Sequence, residues 1–213
     1  MKKITLVIAV LLVNMVSIAQ KPEYFQTMGE TLGQYSSCKS VADFQTLANK
    51  FQMIANVEKN EWLPLYYHAH CCILMSFIEP KDVVKKDGYL DEAEKSMDKL
   101  IALVPNESEV YALQSFYFTA RLVVNPMERG QKYSALSGQA IGKALALDPT
   151  NPRAKLIKIQ GDMGSASFFG NDPKSFCPQA KELLANWDQF KPKSPIHPNW
   201  GKDQAEGIVK GCQ

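Results

Sequence analysis

Apolar and small residues recur along this chain in one figure, spaced four and then three. Ser137, Ile141 and Ala144 share one face of a helix, and Asp148-Pro149 follows directly. That pair stops a helix: the residue before proline is pushed out of the α region, and proline offers no amide hydrogen. Ala93, Met97 and Leu100 repeat the spacing before Pro105, and Ala180, Leu184 and Trp187 repeat it before Pro192. A weaker copy, Ala48, Gln52 and Ala55, precedes Asn60. The stops at 60, 105, 149 and 192 lie 45, 44 and 43 residues apart, an interval regular enough to mark a helical repeat. Pro80, Pro126 and Pro173 break each unit in the middle, so each reads as a helical hairpin. No stretch sustains period-two alternation, so the pattern predicts an all-α fold without a sheet.

The stretch "AIGKALALDPTN" (140–151), with Ser137 in the small-residue position, resembles the second half of a tetratricopeptide repeat, and "AEKSMDKLIALVPNE" (93–107) is a looser copy. Tyr66 and Tyr111 stand where that family places a first-helix aromatic. The units are longer than that family's ~34 residues, so the resemblance is to an expanded form. It implies a right-handed α–α superhelix of three to four hairpins closed by terminal capping helices. The units are 23–60, 61–105, 106–149 and 150–192, with a cap at 198–212, all in one domain over 20–213. "FFGNDP" and "SPIHPNWG" look like segments of secreted bacterial proteins of the Bacteroidota type. In such a stack the first helices line the concave side.

The N-terminus changes the charge argument. "MKK", the apolar run "ITLVIAVLLVNMV" and the small residues Ser17 and Ala19 form a secretory signal peptide over 1–19, cleaved before Gln20. The apolar run is short for a membrane span of ~20 residues. The expectation is therefore a secreted or periplasmic protein of a Gram-negative envelope, with no transmembrane segment after cleavage. Losing Lys2 and Lys3 from 24 basic residues leaves 22 against 22 acidic ones, so no electrostatic case remains for nucleic acid.

The most chemically suggestive stretch is "YHAHCC" (67–72). His68 and Cys72, at i and i+4, share a face and are the weak candidates for a metal. Two ligands do not close a site, so neither a metal nor any other cofactor is expected. No phosphate-cradling loop, G-x-S-x-G or H-E-x-x-H appears, and an enzyme is not expected. "GDMGS" (161–165) is read as the soft end of a helix, and Phe168 and Phe169 as folding back onto a neighbouring hairpin. Helical phase puts Tyr67, Glu109, Phe116, Arg153 and Gln160 on the concave side as candidate partner-binding residues. Charge reversal at Glu109 or Arg153 is expected to weaken a partner without unfolding the chain. All five cysteines lie beyond the signal, in a compartment where disulfides persist. Antiparallel packing of the last two helices would bring Cys177 to Cys212; the alternative pairs Cys38 with Cys71 or Cys72.

The first functional expectation is an exported, non-catalytic module offering its concave groove to a protein or peptide partner in the envelope. The alternative is a carrier of a small molecule or metal, using the aromatic and His/Cys residues of that groove.

Overall fold

The computed structural model describes residues 22–213, and every regular element among them is helical. The signal peptide expected at residues 1–19 lies outside the described residues. No described helix is long and apolar enough to cross a membrane. In chain order the α-helices are α1 (Pro22–Gly33), α2 (Val41–Val57), α3 (Leu63–Ile78), α4 (Val83–Leu103), α5 (Ser108–Val124), α6 (Pro126–Leu147), α7 (Pro152–Phe168), α8 (Cys177–Ala185) and α9 (Lys202–Gly211). Consecutive helices from α1 to α9 pack as hairpins, and α3, α5 and α7 also touch one another in sequence.

The four-three figure marks the residues that hold these hairpins together. Ala93 and Leu100 are fully buried and Met97 nearly so; Ala144 and Ala48 are sealed as well. The small members let two helices approach closely, and each large one buried contributes about 1.5–3 kcal/mol of apolar transfer. Ser137 fills its small position with a hydroxyl and shares a 2.7 Å hydrogen bond with Ser115 Oγ on α5.

The stops are built as the sequence suggests. α6 ends at Leu147, and Asn151 then opens α7. The Asn151 side chain accepts the amide hydrogens of Arg153 and Ala154 at 2.9 and 3.0 Å. Its own amide donates to Ser108 Oγ and Glu109 Oε1 on α5, so one buried cap ties two hairpins together.

"GDMGS" lies in the last two turns of α7, which ends at Phe168 where the sequence places the turn, and Gly161 and Gly164 face open space. Three features differ from the sequence reading. The stop comes at Gly170, whose φ of +75° lets Asn171 N–H reach the Ala166 carbonyl at 2.8 Å. That turn leads the chain away, so Phe168 and Phe169 do not fold back. They remain 59% and 73% exposed and pack edge-to-face on each other. In the last unit, α8 stops at Ala185 and a single 3₁₀ turn (Trp187–Gln189) follows. The last helix starts at Lys202, not at 198, after Gly201 at φ +109°. A side chain on Gly201 would also come within 3.0 Å of Leu156 and Trp187, so only glycine fits.

Cys177 at the start of α8 and Cys212 just after α9 are bonded, with their Cα atoms 5.9 Å apart. Cys38, Cys71 and Cys72 are free thiols. Two apolar clusters fill the interior, a large one over α1–α7 and a smaller one of α7, α8 and α9; Trp200 packs against both.

Candidate functional site

The contacts of α3 with α5, and of α5 with α7, make one continuous face. Helical spacing puts Tyr66, His70, Leu74 and Phe77 of α3 on that face, with Glu109, Phe116 and Val123 of α5 and Arg153, Gln160 and Gly164 of α7. All five residues expected to bind a partner lie along this part of the molecule, but the structure closes four of them off. The non-helical segment 190–201 crosses the N-terminal half of the face and is pinned there. Tyr67 Oη donates to the Ile196 carbonyl at 3.0 Å, and Trp200 Nε1 donates to Tyr66 Oη at 2.9 Å. Lys193 pairs with Glu107 at 2.7 Å, and Trp62 meets the His197 ring edge-on.

Glu109 and Arg153 grip each other rather than a partner. Arg153 Nε and one terminal nitrogen donate to the two carboxylate oxygens, both at 2.6 Å, and both side chains are about a tenth exposed. Burial pushes the Glu109 carboxyl up, with Arg153 opposing the shift. Reversing either charge would leave two like charges in the interior, so the expectation that the fold tolerates such reversal is overturned. Phe116 lies beneath Trp200, and only Gln160 stays partly open, donating to Gln204 on α9. A cavity of ≈ 400 Å³ does remain beside segment 190–198, but its lining includes the mutually paired Glu109, Arg153, Glu107 and Lys193.

What segment 190–201 leaves uncovered is the C-terminal half of the face, and there the side chains are aromatic. His70 stacks on Trp200 with centroids 4.7 Å apart and planes 18° apart. Trp200 meets Phe116 at 5.7 Å and 30°, and Phe116 meets Phe77 at 5.1 Å and 26°. The result is a row of near-parallel rings, buried at His70 and open at Phe77, which is 39% exposed. Ile78 and Val123, at the C-terminal ends of α3 and α5, are 37% and 45% exposed. Phe168 and Phe169 sit at the corresponding end of α7. Phe77 and Trp200 were not legible as site residues, because an aromatic near a helix end reads as core. The only cue to Trp200 was the proline-rich "SPIHPNW", a segment without periodicity.

No family model matches this sequence, and no curated protein sequence does. Among solved structures, the HusA haemophore from Porphyromonas gingivalis matches with a TM-score of 0.78 and 31% identity, over 92% of this chain and 96% of that one. The chain belongs to the HusA haemophore family. That relative is named as a carrier, which favours the carrier alternative over a groove for peptides.

In this member of the HusA family, His70 anchors the row. Tyr35 Oη lies 2.5 Å from its Nδ1, while Nε2 is buried without a hydrogen-bond partner among the described residues. Burial, helped by the Arg153 charge, holds the imidazole down to about 3 from 6.5, so it is neutral in the folded protein. The unfolded chain takes up a proton near pH 6.5 that the folded chain refuses until about pH 3. Stability should therefore fall as pH drops below 6.5, by ~1.4 kcal/mol per pH unit for this one proton, and level off near pH 3. Burial also lowers His68 and His197, which add to the same trend. Denaturant unfolding at pH 7, 6 and 5 checks this: His70→Asn should remove about one proton from the slope, and an unchanged slope would disprove the assignment.

Proposed function

We propose that this protein is an exported carrier of haem, built as one expanded tetratricopeptide-like superhelix, and that the macrocycle adds to the open end of the aromatic row at Phe77. The observation that carries the reading is this ring, 39% exposed at the end of a Trp200–Phe116 stack, in a chain 31% identical to a haemophore. A flat, apolar macrocycle extends such a stack, and Ile78 and Val123 shield its edges. Segment 190–201 supports the reading in a second way: it removes the N-terminal half of the groove that an extended peptide would need. The expected signal peptide fits an exported carrier.

Haemin titration followed through its Soret band tests the proposal. Phe77→Ala should raise Kd at least tenfold, about the 1.4 kcal/mol expected of one lost stacking partner, while the protein stays folded with a modestly lower melting temperature from the lost Phe77–Phe116 contact. A second cavity, of ≈ 690 Å³, lies between α2 and α4, with Leu65 and Leu103 in its lining and Lys59 and Lys99 able to meet carboxylates. Lys99→Ala should leave haemin affinity unchanged. A loss in Lys99→Ala and none in Phe77→Ala would move the site there.

A further inference from the structure

We propose that His68 and Cys72 form a buried two-coordinate site for a soft monovalent cation, cuprous copper or silver. The two side chains lie one turn apart on the face of α3 that packs on α4, away from the aromatic row. Cys72 Sγ is 3.9 Å from His68 Nε2, and the residues are 2% and 7% exposed. Bonds of about 2.3 Å to sulfur and 2.0 Å to nitrogen bridge that gap with roughly 130° at the ion. Opening the gap by about 0.4 Å makes the arrangement linear on the same bond lengths.

The surroundings favour this over a chance contact. His68 Nδ1 lies 2.8 Å from Ser96 Oγ on α4. With Nδ1–H donating to that hydroxyl, the Nε2 lone pair faces the sulfur, which is how a second partner orients a ligating histidine. Cys71, the neighbouring thiol, contacts Tyr35 Oη at 3.5 Å instead and is turned to the other side of the helix.

Charge then selects the ion. A monovalent cation held by one thiolate and one neutral imidazole is neutral overall, so burying it costs little. A zinc ion in the same place would keep a net positive charge and call for four ligands. No group of three His, Cys, Asp or Glu side chains occurs among the described residues. Thiolate and imidazole together suit cuprous copper and its heavier congener. Binding breaks the Cys72 S–H bond, forms one sulfur–metal bond and releases one proton to solvent, with no change of oxidation state.

The experiment uses silver nitrate in chloride-free buffer, with the Cys177–Cys212 bridge intact and the half-exposed thiol removed by Cys38→Ser. This protein should bind one silver ion, release one proton and gain several degrees of melting temperature. X-ray absorption should show one sulfur and one nitrogen neighbour. Cys72→Ala should abolish binding and the thermal gain. His68→Gln, which keeps the thiol, should weaken affinity at least tenfold. If Cys72→Ala proves unstable, Ser96→Ala should lower affinity several-fold at unchanged stoichiometry, an effect that capture by a bare thiol would not show. Undiminished binding in Cys72→Ala or in His68→Gln, or a sulfur-only coordination shell, would overturn the proposal.

Discussion

Replacing Glu109 with alanine should destabilise the protein by about 3–5 kcal/mol, among the largest effects of any single substitution in it. The loss does not measure the strength of the ion pair. It arises because Arg153 keeps its charge in a place where water reaches only its edge, and loses both 2.6 Å acceptors at once. The Asn151 amide loses one of its two acceptors in the same step. The remaining polar contact of the guanidinium is the Trp200 carbonyl at 3.5 Å, too long to compensate. Removing both charges is different: Glu109→Leu with Arg153→Leu leaves no orphaned charge and should recover most of the loss. Urea unfolding of the single and double variants checks this, and a double variant no more stable than Glu109→Ala would show that the pair itself supplies the stability.

Opening the Cys177–Cys212 bridge should cost about 3–4 kcal/mol, because it closes a loop over a sequence separation of 35 residues. The loop contains the end of the last hairpin, segment 190–201 and α9. Much of what keeps Trp200 in the aromatic row therefore depends on it. The double variant Cys177→Ala, Cys212→Ala should melt several degrees lower and bind haemin more weakly. Equal haemin affinity would mean that Trp200 holds its place without the bridge.

The hairpin frame was legible because its signals are local. Asp148-Pro149 stops a helix wherever it occurs, and the Ala93–Met97–Leu100 spacing defines a face without knowledge of what it packs against. The face that α3, α5 and α7 share was legible in the same way, since Glu109, Phe116 and Arg153 follow from helical phase alone. That they would be covered was not legible. Segment 190–201 has no periodicity, and its placement rests on distant partners: Tyr66, Tyr67, Glu107 and Arg153, between 47 and 134 residues away for those that bond to it directly at Trp200. Phe168 and Phe169 were misread because burial was inferred from their apolar nature, whereas the left-handed Gly170 sets the direction of the chain after them. Phe77 gave no signal of its own. Its role comes from Phe116 behind it and from solvent in front, and both are properties of the assembled stack.

Haem stacked on the open end of the aromatic row would shift the resonances of the residues around Phe77. The most direct test is the amide spectrum of isotopically labelled protein titrated with gallium(III) protoporphyrin, a diamagnetic stand-in for haemin. Ring-current shifts should concentrate at the C-terminal ends of α3 and α5, around Phe77, Ile78 and Val123, and extend to Trp200. Shifts concentrated instead around Gln52, Lys59 and Lys99, or the absence of saturable shifts, would overturn haem binding at Phe77.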